Sequence, residues 1–222
     1  MKNILGIVIS IIYIGVVIAS GKLFEKKSKE TSRKFIHIML APYWIISIIC
    51  FENIIWASVM PFLFVIINYL SCKFNIIKQM ERDENEKDGY GTVYYALSLF
   101  VLSLLTYGPL RDITNIYGPT VALTGVLTMA LGDGFAAIVG KNVKSFEYKV
   151  GKTKKTLAGS ATMCVITLVI ISIFLAYFKI PMWFFKALII SLISTLLEAV
   201  AIKGLDNIIV PVLTTLMVFL VI

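Results

Sequence analysis

The chain has 222 residues, of which 59% are hydrophobic and only 15% charged, and its mean hydropathy is +0.90. A soluble domain is about half apolar and about a quarter charged, so the excess apolar surface has to face lipid. That composition excludes a soluble dinucleotide-binding enzyme, a DNA-binding domain, a disordered chain and a disulfide scaffold. A formal charge of +8 would suit nucleic acid, but in a membrane protein it reports basic cytoplasmic loops, and no nucleic-acid partner is expected. Cys50, Cys72 and Cys164 lie in or beside apolar runs with no metal-ligand spacing, and they read as small buried hydrophobes.

About 20 apolar residues cross the hydrocarbon core of a bilayer as a helix. In chain order the predicted spans are Ile4–Gly21, Phe35–Phe51, Ile54–Cys72, Thr92–Gly108, Pro119–Gly140, Ala161–Phe178, Met182–Ile202 and Leu205–Ile222. The last is the weakest, with Asp206, Asn207 and Pro211 near its start; without it the count is seven. Ala19-Ser20 resembles a signal-peptidase site, but the basic segment that follows resists translocation, so the first helix reads as uncleaved. The expected fold is all-α, a polytopic membrane helix bundle of about eight spans forming a single integral membrane domain over 1–222.

Basic residues crowd the alternate loops 22–34, 73–91 and 141–160. Of the 21 lysines and arginines, only Lys2, Arg111, Lys179 and Lys186 fall on the other side of an eight-span topology. The positive-inside rule therefore puts the basic loops in the cytoplasm and both termini outside. No soluble domain remains, so any chemistry is built from helix ends and loops at the cytoplasmic face.

Ionisable residues inside spans are costly and mark functional sites or buried partners. Asp133 lies in "ALGDGFAA" between Gly132 and Gly134, where small neighbours let a phosphate, a metal or another backbone approach the carboxylate. The alternative is close helix packing around one buried acid. Carboxylates are hard ligands that suit Mg²⁺ at phosphate sites. The following loop, "GKTKKTLAGS" from Gly151 to Ser160, supplies Lys152, Lys154 and Lys155, the hydroxyls of Thr153, Thr156 and Ser160, and the small Gly159. Ser160 is placed to cap the sixth span and expose helix N-terminal amides to an anion. The loop is not a Walker A motif: Phe146 stands where its first glycine belongs, and a membrane helix precedes it in place of a strand. The lysines also suit attraction to lipid headgroups. Glu198 near the end of the seventh span and Asp206-Asn207 at the start of the eighth are expected at the same boundary as Asp133. Three carboxylates with nearby lysines suit a Mg-nucleotide site, or else an ion-pair cluster tying helix ends together. His37 shares a helix face with Arg33 and can orient phosphate, accept a proton from a substrate hydroxyl, or simply be a buried hydrogen-bonding histidine.

Five segments in order resemble the CTP-dependent lipid-alcohol kinases, the family of phytol kinase, dolichol kinase and the CTP-dependent diacylglycerol kinase. They are "RKFIH" (Arg33–His37), "GYGTVYYAL" (Gly89–Leu97), "GDGFAAIVG" (Gly132–Gly140), "KKTLAGS" (Lys154–Ser160) and "EAVAIKGLDNIIVP" (Glu198–Pro211). The last two look most like the phytol kinase branch. Ala158 departs from members with an acidic residue there, so no carboxylate role carries over to it, and Asn142–Val150 matches loosely. The resemblance implies transfer of the terminal phosphate of CTP to the hydroxyl of a phytol-, polyprenol- or diacylglycerol-type alcohol, assisted by Mg²⁺. In that scheme Asp133, Glu198 and Asp206 hold the metal. Lys152, Lys154, Lys155, Thr156, Gly159 and Ser160 bind the nucleotide, together with Arg33, Lys34, Gly132, Gly134 and Asn207. Asp133, His37, Lys155 and Glu198 are the expected catalytic groups. Two other classes fit the pattern less well: a CTP-dependent cytidylyltransferase acting on a lipid phosphate, and a small multispan transporter.

Overall fold

A computed structural model describes residues 1–25, 28–74, 90–151 and 153–222. Its first helix, α1 (Lys2–Glu25), is apolar all round, turning Leu5, Ile11, Ile12 and Val16 outward while Ile14 and Val17 are buried against neighbours. That is the pattern of a helix with one side in lipid. The second expected span is two helices, α2 (Lys29–Met39) and α3 (Tyr43–Cys50). Ser28 caps α2, its Oγ accepting from the Thr31 amide at 3.0 Å. Pro42 has no N–H to continue the helical ladder, and the chain turns at 40–42 before α3 begins.

The third span is α4 (Ile54–Phe74), with Pro61 inside it, and the fourth is α5 (Gly91–Thr106). The fifth is interrupted: α6 (Gly118–Leu127) widens into a π turn over Thr128–Asp133 before α7 (Gly134–Asn142) resumes the α-helical ladder. Single π turns inside helices are frequent at functional sites. Part of the expected 141–160 loop is a β-hairpin, β1 (Glu147–Val150) and β2 (Thr153–Thr156), antiparallel with Glu147 opposite Thr156. The hairpin leads directly into α8 (Leu157–Tyr177), followed by α9 (Trp183–Val200) and α10 (Asp206–Val221).

Among the described residues, six stretches are long and apolar enough to cross a membrane: Lys2–Phe24, Glu30–Cys50, Ile54–Phe74, Gly118–Asn142, Leu157–Tyr177 and Trp183–Val200. The remaining two expected spans are the shorter apolar helices α5 and α10, of 16 residues each. At 1.5 Å per residue each is about 24 Å long, less than the roughly 30 Å hydrocarbon core. Both begin at one end of the bundle, where Asn207 Nδ2 donates to the Gly91 carbonyl at 3.1 Å.

Interactions at the two ends agree with eight alternating passes. At one end Asn3 donates to Glu52 at 3.3 Å, Arg111 donates to the Glu52 carbonyl at 2.8 Å, and Lys186 donates to the Val221 carbonyl at 2.8 Å. At the other end Lys34 meets Asp133 and Lys155 meets Glu198. The core between them lies in two main patches. One surrounds Trp44, fully buried, whose indole N–H donates to the Pro119 carbonyl at 2.8 Å, with Leu102, Val126 and Met129 close by. The other packs Ile171, Leu175, Ala187 and Val218 of α8, α9 and α10. The two ends have a checkable orientation. In a variant whose native cysteines are replaced by serine, an impermeant thiol reagent applied to intact cells is expected to label Asn115→Cys. It is expected to reach Lys149→Cys only after permeabilisation. Both residues are exposed, so the reverse pattern would invert the topology.

Candidate active site

Three carboxylates converge at the end of the bundle where α5 and α10 begin. Asp133 comes from the end of the π turn, Glu198 from the last turn of α9 and Asp206 from the first turn of α10, and oxygens of all three lie within 4.8 Å of one another. Two lysines meet them from opposite sides. Lys34 of α2 donates to Asp133 Oδ2 at 2.7 Å. Lys155 of β2 donates to Glu198 Oε1 at 2.6 Å and also to the Glu198 carbonyl. Both pairs are largely buried, with 8% and 15% of the Lys34 and Asp133 side chains exposed and 12% and 9% of Lys155 and Glu198.

His37, one turn along α2 from Lys34, is buried beside them. Its Nε2 lies 3.3 Å from both Asp133 Oδ2 and the Met129 carbonyl. Both neighbours are acceptors, so in the neutral ring Nε2 carries the proton and Nδ1 keeps the lone pair. Met129 belongs to the π turn, where the helical ladder is re-spaced. Arg33 is clamped by Glu30 through two hydrogen bonds of 2.8 and 2.6 Å.

Two clefts flank the cluster. The wider one encloses about 820 Å³, open solvent included, between α7, the hairpin and the start of α8. Lys141, Lys154, Lys155, Thr156, Ser160 and Glu198 line it. The second is far tighter, with about 30 Å³ of clear room, where Arg33, His37 and Asn207 face Asn68, Thr92 and Tyr95. Glu198 lines the lysine-rich polar cleft, and His37, in contact with Asp133, lines the narrower one, so the cluster touches both.

The expected site residues divide accordingly. Asp133, Glu198, Asp206, Lys34, His37 and Lys155 are brought together. Lys154, Thr156, Gly159 and Ser160 line the polar cleft and Arg33 and Asn207 the narrow one. Lys152 lies outside the described residues. Ser160 does not cap α8. The hairpin delivers the chain to the helix earlier than expected, so Thr156 is the cap, accepting from the Gly159 amide at 3.1 Å, and Ser160 pairs with the Tyr148 hydroxyl at 2.6 Å. Gly132 and Gly134 are each packed against a neighbouring helix on the side where a Cβ would stand. A side chain on Gly132 would strike Met163 of α8, and one on Gly134 would come within 2.5 Å of Ile38 of α2, so both glycines serve helix packing. Lys34 reaches the site through Asp133 and not as a free phosphate ligand. The sequence reading missed Asn68, Tyr95 and Tyr148. Asn68 had a signal, an amide inside an apolar span.

Fold and site together define a multi-pass helical membrane protein with a buried carboxylate–lysine cluster at one end, open to a polar cleft. The chain is 27% identical over 214 residues, 90% of its length and 84% of the relative's, to a protein named phytol kinase from Synechocystis sp.. It is 26% identical over 213 residues, 86% of its length and 67% of the relative's, to a probable chloroplastic phytol kinase from Triticum aestivum. A dolichol kinase from Schizosaccharomyces pombe matches at 31% over 90 residues, 40% of this chain and 17% of that protein. These relatives support the lipid-alcohol kinase family that the motifs resemble, with the phytol kinases aligned along most of the chain. No family model matches the chain, and no solved structure matches it.

The Lys34–Asp133 pair has a measurable consequence. Removing one partner of a buried ion pair costs about 3 to 5 kcal/mol, whereas removing both charges costs far less. Lys34→Met is expected to lower the melting temperature of the purified protein in detergent. Lys34→Met combined with Asp133→Asn is expected to regain most of that loss. Additive losses would show that the pair is not coupled.

Proposed function

We propose that the chain is a CTP-dependent kinase that phosphorylates the hydroxyl of a membrane lipid alcohol of the phytol, polyprenol or diacylglycerol type, with Mg²⁺, at the cytoplasmic face. The observation that carries this reading is the convergence of Asp133, Glu198 and Asp206 between two clefts, one of them lined by lysines and hydroxyls. Relatives named phytol kinase and dolichol kinase support the acceptor class. CTP as donor rests on the motif resemblance, and the cytoplasmic face on the basic loops.

The donor set suits Mg²⁺. All three groups are hard oxygen ligands. Mg²⁺ holds oxygens at about 2.1 Å, so opposite ligands stand about 4.2 Å apart. Oxygens spread over 4.8 Å need only a slight closure, or one ligand acting through water. When bound, the ion would neutralise charge on the transferring phosphate. The protein's own groups do the rest by position, since phosphoryl transfer demands mainly alignment and charge compensation. Lys154 and Lys155 face the polar cleft where the phosphates would lie. Thr156 caps α8 there, and the first amides of the helix are already held, Leu157 by the Phe146 carbonyl, Ala158 by Ser145 Oγ and Gly159 by Thr156 Oγ1, so the lysines are the anion-facing groups. The alcohol oxygen attacks the terminal phosphorus, the bond from that phosphorus to the bridging oxygen breaks, and CDP leaves. The hydroxyl proton goes to a nearby base. His37 Nδ1, with its lone pair, fits that role, and so does an Asp133 oxygen.

The direct test supplies purified protein with Mg²⁺, CTP labelled at the terminal phosphate, and a panel of phytol, geranylgeraniol, a polyprenol and diacylglycerol. Label is expected on the alcohol, with CDP released; label in pyrophosphate with CMP joined to a lipid phosphate would instead mark cytidylyl transfer. Chelation of divalent ions is expected to stop the reaction. Asp133→Asn keeps the side chain's shape and an acceptor for Lys34 but leaves that lysine's charge unpaired, so its melting temperature is measured alongside; where the fold holds, turnover should fall by at least about 100-fold, the scale of losing one electrostatic stabiliser. Wild-type turnover in that variant would remove Asp133 from the site.

A further inference from the structure

The narrow cleft beside His37 does not end at the helix tips. It shares Leu40, Asn68 and Tyr95 with a second, tight cavity deeper in the bundle, with about 20 Å³ of clear room, so that a tail entering it would have to part the side chains that otherwise wall it, Ile14, Tyr43, Pro61, Phe64, Ala96 and Leu99. The two form one passage with a polar mouth and an apolar end. At their junction the Tyr95 side chain is almost fully buried, and its hydroxyl has no hydrogen-bond partner among the described residues. Its ring stands edge-on to His37, centroids 4.9 Å apart. Asn68 turns its amide to the Thr92 carbonyl at 2.9 Å. A buried hydroxyl without a partner costs roughly 1 to 3 kcal/mol, so it persists where a ligand completes it.

We propose that this passage is the acceptor subsite: the deeper slot between α1, α3, α4 and α5 holds the proximal tail of the alcohol, and the Tyr95 hydroxyl, with Asn68, holds its oxygen beside His37. The proposal rests on the kinase reading and adds to it which residues select the acceptor. One polar group followed by an apolar chain is the shape of the passage itself. Pro61 removes a backbone hydrogen bond from α4 at the slot wall. α1 packs mainly on α2 and α3 and only sparsely on α4, so the seam between α1 and α4 is the thinnest wall towards lipid. A tail leaving lipid for an apolar slot gains almost no hydrophobic free energy, because both surroundings are equally apolar. The slot therefore discriminates by shape, and the oxygen is positioned by hydrogen bonds.

Two variants that change slot volume in opposite directions test this. Ala96 is buried and small, so Ala96→Phe shortens the slot. It is expected to cut kcat/KM for a branched twenty-carbon alcohol by about tenfold or more while sparing a short-chain alcohol. Phe64→Ala lengthens it and should shift preference towards bulkier tails. Opposite shifts cannot arise from a general folding defect; parallel losses for all tails, or no change in preference, overturn the proposal. Tyr95→Phe should raise KM for the alcohol and leave KM for the nucleotide unchanged, and an equal effect on both would remove Tyr95 from the acceptor. A binding readout separates this from the kinase reading. A diazirine placed in the tail of a non-reacting alcohol ether should crosslink to Phe64, Ala96 or Leu99, in competition with free alcohol. Crosslinks only to outward residues such as Phe62 and Ile66 would place the tail in the bilayer. Slot crosslinks without any phosphoryl transfer by the wild type would instead sink the kinase reading alone.

Discussion

Two ammonium–carboxylate contacts, Lys34 to Asp133 and Lys155 to Glu198, hold the working end of this bundle together. Each joins elements far apart in the chain: α2 to the π turn, and the hairpin to α9. Taking a charge out of water costs several kcal/mol even after relaxation, and apolar replacements of buried pairs are often neutral or stabilising. Stability alone does not account for carrying five charges there. The pairing is better understood as the condition under which three carboxylates can be kept close together at all. Without the lysines, mutual repulsion and desolvation would drive them apart or leave them protonated.

The same contacts set the relation between the two clefts. Because Glu198 faces the lysine-rich cleft and His37, in contact with Asp133, faces the Tyr95 side, groups arriving from the two sides would approach each other at the cluster. On the proposed reading this separates a water-soluble nucleotide from a lipid-soluble alcohol, each entering from the phase in which it dissolves. Hydrolysis is the competing reaction, and excluding water is a recognised function of a closed site. The narrow cleft, bounded by Ile36, Leu40 and Tyr95, offers water little room behind the acceptor.

How much of this was legible in the sequence follows from what sequence encodes. Hydrophobic length marked the six long apolar stretches and the two shorter apolar helices, because lipid imposes it directly. An acid in an apolar run is expensive, so Asp133, Glu198 and Asp206 stood out, and the alternation of spans put them at one end. The break at 40–42 was hidden because the residues on both sides of Pro42 are equally apolar. The hairpin was hidden because "EYKV" and "TKKT" are too short and too polar to show a period. Lysines were visible as charges, but their partners were not: nothing in "RKFIH" states that Lys34 will turn to Asp133 while Arg33 turns to Glu30. Tyr95 and Asn68 were passed over because neither is ionisable, and only packing reveals that a hydroxyl has been left without a partner.

The π turn explains how Asp133 reaches the cluster at all. It inserts one extra residue into the helical repeat, and one residue is about 100° of rotation in an α-helix. Without that rotation α6 and α7 could not both keep the faces they now present. Gly125 lies against the Pro211 carbonyl of α10, Gly132 against Met163 of α8, and Gly134 against Ile38 of α2. These three glycines fix α6, the π turn and α7 at contact distance from three different helices. Asp133 sits between the last two, so its side chain is directed by backbone packing on both sides, and the glycines that seemed to invite a phosphate instead aim the carboxylate. A substitution at Gly132 or Gly134 would thus disturb the site by rotating Asp133, without touching any ligand.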